Sequence, residues 1–167
     1  VYKIELLMKQ AKITTQDRKV TVAAREREQR LSVPTAAIEL SDGTIITSKT
    51  SDLLGASAAL LLNALKYLGG VDHDTHLISP EAIGPIQELK TKYLGGKNPR
   101  LHTDEVLIAL SVSALNDPNA RRALEQLPRL KRCQVHTSVM LSEVDIKTFK
   151  KLGVDLTSEP ILKGKSK

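Results

Sequence analysis

Tryptophan is absent from this sequence of 167 residues, and the aromatic side chains are confined to Tyr2, Tyr67, Tyr93 and Phe149. A buried core must therefore be filled by Leu, Ile, Val and Ala, and stacked-base recognition of single-stranded nucleic acid lacks its platforms. Cys133 is the sole cysteine. That excludes an intramolecular disulfide and a cysteine-rich structural zinc site, and it fits a reducing, cytoplasmic setting. No apolar run is long enough to span a bilayer and no signal-peptide pattern is present, so no membrane partner is expected. The sequence opens on Val1 in what reads as the middle of a helix, which suggests a piece of a longer protein.

The familiar catalytic and cofactor motifs are missing as well. His73, His76, His102 and His136 fall on a turn, a strand, a loop and a strand, with no His-x-x-x-His or Cys-x-x-Cys pairing, so no metal site is expected. Cys133 and His136 are three apart in an expected strand and should face opposite ways, which makes Cys133 a structural cysteine. Gly-x-Ser-x-Gly is absent, and Gly55-Ala56-Ser57 reads as small residues that let a helix pack closely on a sheet. Neither phosphate-binding glycine motif occurs, and Gly95-Gly96-Lys97 ends a helix rather than opening one. No catalytic residue and no cofactor follow from these patterns.

What is present is an ordinary globular composition, 41% hydrophobic and 26% charged, enough for one domain plus an arm. The net charge of +6 is concentrated at the ends, in Arg18, Lys19, Arg25, Arg27 and Arg30 and in Lys163, Lys165 and Lys167. Glu26 and Glu28 interrupt the first cluster, which reads as a solvated helical face or linker, so nucleic acid is a disfavoured partner.

The organising stretch is Thr35 to Gly70. Apolar runs flank Ser41-Asp42-Gly43-Thr44, a strong hairpin signal. Thr50, Ser51 and Asp52 can each cap the long apolar helix that follows, up to Leu68, and Gly69-Gly70 stops it. A helix apolar on nearly every face belongs inside a layered domain. Downstream, Thr75–Ile78 reads as a short buried strand. Ser79-Pro80-Glu81 opens a helix to about Leu94, and Thr103-Asp104-Glu105 opens another, VLIALSVSAL, too apolar for a surface. Asp117-Pro118 starts a polar helix over Asn119–Leu127. Cys133–Leu141 alternates as a strand near a sheet edge, Ser142 caps a helix to Leu152, and Val154–Thr157 is a last strand.

Strands separated by helices predict an α/β fold, a layered α/β/α arrangement with a mixed sheet, preceded by a helical arm. The arm covers 1–32 with a helix over Tyr2–Ala11, the domain 33–160, and a disordered basic tail 161–167. If the strands preceding them are parallel neighbours, the helices near Ser51 and Ser79 aim their N-termini at one sheet edge. Thr47, Ser48, Lys49, Thr50, Ser51 and Ser79 would then line a crevice suited to a small anionic metabolite, phosphate or carboxylate. The alternative is that these hydroxyls only cap helices.

The runs AAIELSDGTIITSKTSDLLGASAALLLNALKYLGG, THLISP, LHTDEVLIALSVSALNDPNA and KKLGVDLTS resemble the C-terminal part of an uncharacterised bacterial family, domain of unknown function eighteen-forty-six. The resemblance implies a much longer full-length protein whose missing part is similar to P-loop-type nucleotide-binding proteins, and it brings no established activity. A more distant resemblance, of arrangement alone, is to cytidine deaminases. There Gly55-Ala56-Ser57 and Pro80-Glu81-Ala82-Ile83-Gly84 stand where zinc ligands and a proton-shuttling Glu would be, so the resemblance implies no retained chemistry. Together these readings point to a non-catalytic module that packs on the N-terminal part of its own protein and supports homo-oligomerisation.

Overall fold

The computed structural model describes residues 18–159. The helix expected over Tyr2–Ala11 and the basic tail from 161 lie outside the described residues. The chain forms α1 (Lys19–Leu31), β1 (Thr35–Glu39), β2 (Ile45–Lys49), α2 (Ala56–Leu68), α3 (Pro80–Glu88), α4 (Thr103–Ser113), α5 (Pro118–Leu124), β3 (Gln134–Thr137), α6 (Glu143–Leu152) and β4 (Asp155–Ser158). Helix α3 runs on into a π-helical turn, Leu89–Tyr93, and a 3₁₀ turn, Leu127–Leu130, follows α5.

The sheet order is β2-β1-β3-β4. β1 is antiparallel to both β2 and β3, and β3 is parallel to β4. The predicted hairpin is present: Glu39 pairs with Ile45, and Gly43 takes φ +86° in the turn, which its missing Cβ permits. Tyr67 at the end of α2 donates its hydroxyl to Asp42 at 2.8 Å and so ties that turn to the helix.

Period-two alternation explains why β1 is buried on both sides. Ala36 and Ile38 enter the main core, whereas Ala37 meets Val20 and Ala24 of α1 on the opposite face. Helix α1 therefore covers one face of the sheet, although it lies within the stretch expected as an arm. Helix α2 covers the other with Leu60, Leu61, Ala64 and Leu65, and α4 and α5 pack behind it. This is the α/β/α layering with a mixed sheet that the sequence predicts.

Four local expectations are corrected. Thr75–Ile78 is not a strand: Leu77 and Ile78 both enter the main core, which alternating strand residues could not do. Helix α2 begins at Ala56 with Gly55 as N-cap, not at the Thr50–Asp52 cluster, because Ser51 N–H turns back onto the Leu54 carbonyl at 2.9 Å and Leu54 forms a bridge to Leu101, which keeps that stretch out of the helix. β3 is shorter than Cys133–Leu141 and lies inside the sheet rather than near its edge; its polar side chain His136 is covered by a polar layer under α1. Helix α4 does reach the surface, where Ile108 and Val112, with Leu115 in the turn just after it, are 66%, 62% and 72% exposed.

Candidate functional site

The six residues expected to line one crevice are distributed among several environments. Ser48 is buried and donates its hydroxyl to the Ala56 carbonyl at 2.6 Å. Lys49 is exposed at the end of β2. Ser51 accepts from the Leu53 and Leu54 N–H groups, each at 3.2 Å, and so stabilises a local turn before Leu54 rather than a helix. Ser79 caps α3, accepting from Ala82 N–H at 3.3 Å. Thr47 lines a hollow of about 340 Å³ with Asn63, Lys66 and His73. Of the six, only Thr50 lines the cleft described next. The shared edge fails because its premise, a strand at 75–78 beside β2, is absent.

A different convergence occurs where β1 begins and β2 and β3 end. There the N-termini of α2, α4 and α6 meet around a cleft of about 170 Å³, lined by Thr50, Gly55, Ala56, Ser57, Arg100, His102, Thr137, Ser142 and Asp145 among others. The 98–102 loop is pinned against it. Lys90 in the π-helical turn donates to the Arg100 carbonyl and forms an ion pair with Glu105 at 2.7 Å. Arg100 donates from Nε to the Ser51 carbonyl at 2.5 Å, which leaves its two terminal nitrogens unengaged by any described residue.

At the start of α4, the Asp145 carboxylate of α6 acts as cap: Oδ1 accepts from Thr103 N–H at 2.9 Å and from its hydroxyl at 2.7 Å. Oδ2 lies 3.6 Å from His102 Nδ1. Burial pushes the Asp145 carboxyl up, but His102 and the two Thr103 donors together outweigh burial and hold it below its ordinary value. The same carboxylate raises the His102 ring above its ordinary value, against the cost of partial burial. The pair can therefore hold a proton on the imidazole while Nε2, on the other side of the ring, takes no partner among the described residues.

Helix α2 has no such cap. Gly55 offers no side chain, although a Cβ there would meet only the Leu101 carbonyl, at 3.8 Å. Among the described residues no acceptor takes the N–H groups of Ala56, Ser57 and Ala58. Ser57 is 3% exposed and its hydroxyl has no hydrogen-bond partner among the described residues. In the sequence Ser57 reads as close packing, His102 reads only as a loop histidine without metal-ligand spacing, and nothing singles out Arg100 or Asp145. Their convergence depends on the Leu54–Leu101 bridge and on the α4–α6 contact, neither of which leaves a local signal.

The remaining polar cluster is structural. On the α1 face, His136 bonds through Nδ1 to Thr157 at 2.7 Å and through Nε2 to Glu159 at 2.6 Å. Arg25 pairs with Glu159 at 3.0 Å, and the largely buried Arg18 bonds Gln134 and Thr157. Of the expected basic face, Arg18 is thus turned inward, while Arg25 stays exposed and reaches Glu159 at the rim. Cys133 is buried in the main core on the other side of the sheet, where burial pushes its thiol up, as befits a structural cysteine. No cluster of His, Cys, Asp and Glu able to hold a metal occurs among the described residues, and no helix there is long and apolar enough to cross a membrane.

Comparison with known sequences completes the picture. Residues 16–167 match the family described as "Domain of unknown function DUF1846, C-terminal". A UPF0371 protein of Corynebacterium aurimucosum is 57% identical over 161 residues, covering 96% of this chain and 32% of the relative. One from Corynebacterium diphtheriae is 57% identical over 155 residues, 93% of this chain and 31% of the relative. A third, from Streptococcus uberis, is 45% identical over 161 residues, 96% and 33% respectively. The chain spans about a third of the length of the curated relatives it matches. This chain therefore belongs to the C-terminal domain family of DUF1846.

Proposed function

We propose that this domain is a non-catalytic packing module whose partner is the preceding part of a longer protein of the same family. The observation that carries the reading is the outer face of α4. Ile108 and Val112 of α4, continued by Leu115 in the turn that follows, stand at helical spacing with 66%, 62% and 72% exposure, and no described element covers them. Such a stripe on an isolated domain resembles half of a domain interface. Covering two-thirds of an Ile or Leu contributes roughly 1–2 kcal/mol per side chain, so three would supply a useful share of a docking energy. The matched relatives carry about two-thirds of their length outside the region this chain covers, which supplies an occupant for the stripe. A second copy of this chain is the competing occupant.

The test is sedimentation velocity of this chain alone and mixed with the separately produced preceding part of the longer protein. A monomer alone and a one-to-one complex in the mixture are expected. A self-associating chain that ignores the preceding part would assign the face to a second copy and overturn the reading.

A further inference from the structure

The orphaned hydroxyl at the start of α2 asks for a ligand. A serine in the first turn of a helix commonly satisfies itself by capping or by bonding a carbonyl one turn back. Ser57 does neither among the described residues: the N-cap position is Gly55, and the Leu53 carbonyl, one turn back, accepts from Leu101 N–H at 3.0 Å and not from the serine. Beside that hydroxyl stand the three uncapped N–H groups of Ala56, Ser57 and Ala58, all in buried residues. Burial of unpaired donors is costly, and a helix N-terminus carries partial positive charge that favours an anion. The 13-residue length of α2 gives it a full dipole.

We propose that this cleft binds a phosphoryl group, seated on the N–H groups of Ala56, Ser57 and Ala58, with the Ser57 hydroxyl as a further donor and Arg100 and His102 as flanking cations. Several converging donors and a guanidinium suit the three terminal oxygens of a phosphoryl group better than the two of a carboxylate. The volume of about 170 Å³ falls below the roughly 300–1,000 Å³ usual for whole drug-sized ligands, so the cleft takes an anionic head rather than a nucleotide. Asp145 also lines the cleft, but its Oδ1 is held by Thr103 and its Oδ2 faces His102. The anion therefore sits at the α2 end, away from that carboxylate. Nothing in this site depends on the packing role of α4.

Isothermal titration of the 167-residue chain with inorganic phosphate, methyl phosphate and acetate, at constant ionic strength, tests the proposal. Phosphate or methyl phosphate should bind in preference to acetate. Ser57→Ala and Arg100→Ala should each weaken that binding about tenfold or more, as loss of a charge-assisted hydrogen bond predicts. Arg100 keeps the test decisive should Ser57→Ala fail to fold. Tighter binding of methyl phosphate identifies a phosphorylated molecule as the source, and tighter binding of inorganic phosphate identifies the free ion; both support the site. No binding of either, preference for acetate, or unchanged binding in the variants would overturn it and leave ordered water as the partner of Ser57.

Discussion

His102 and His136 answer pH in opposite senses, because one ring has gained an anion and the other has been buried. Asp145 raises His102, so the folded state binds that proton more tightly than the unfolded chain does. This contribution is fully present below the ordinary histidine value of 6.5 and is lost as pH rises through the raised value. On the acid side the same pair is lost as pH falls through the lowered value of Asp145. His136 is different. Burial outweighs Glu159 and holds its ring below 6.5, so protons favour the unfolded chain and stability falls on acidification through that range. Thermal melts of the wild type and of His102→Gln across pH 5.5–9 should therefore converge as pH rises, the wild-type advantage being largest at the acid end. A constant gap between the two curves would contradict the His102–Asp145 pairing.

The elements divide into those whose ends carry their own signal and those whose ends are set from afar. Ser142, accepting from Asp145 N–H, and Gly153, at φ +78°, bound α6 where a sequence reader would place them. The hairpin turn at Asp42-Gly43 is equally local. Gly153→Ala should cost about 1–2 kcal/mol for the left-handed backbone alone, read as a lowered melting temperature, and its Cβ would also crowd Lys131 Cγ at 2.9 Å. An unchanged melt would refute that account of the cap. By contrast, Thr50-Ser51-Asp52 carries good capping chemistry but caps only a local turn at Leu53 and Leu54, because the Leu54–Leu101 bridge postpones the helix to Ala56. Leu77 and Ile78 look like a strand because apolarity marks burial, not the geometry of burial.

Helix α4 shows the same ambiguity at its surface. Its sequence is apolar on most sides, yet Leu110 is fully buried and Ile108 is not. Leu110→Ala should destabilise the domain by about 2–5 kcal/mol, whereas Ile108→Asp should stay within about 0.5 kcal/mol of the wild type in chemical denaturation. Equal losses in the two variants would mean that the outer face is already covered within this chain.

On the scale of the whole molecule, the fold class was readable because alternation and helical spacing report layers directly. The extent of the compact unit was harder to read. Lys19–Leu31 has few apolar residues, and its hold on the sheet comes from Val20 and Ala24 against Ala37, and from Arg18 and Arg25 reaching β3, β4 and Glu159. Charge that looks like a solvated face in sequence is here partly an inward-facing polar layer. Removing residues 1–32 would uncover Ala37 and the His136 network, so the shortened chain should lose cooperative unfolding or precipitate. A shortened chain that melts like the full one would show that α1 is dispensable. The candidate cleft was hidden for a related reason: its walls come from α2, α4, α6 and the 98–102 loop, which only the completed fold brings together.

The central claim, that the α4 face is an internal docking surface of a longer protein, is tested most directly by one affinity comparison. Calorimetric titration of the separately produced preceding part into this chain, and into its Ile108→Asp/Val112→Asp variant, reads the contribution of the stripe itself. The wild type should bind, and the variant, still folded, should bind at least about tenfold more weakly. Equal affinities would contradict it, and the exposed stripe would then need another partner.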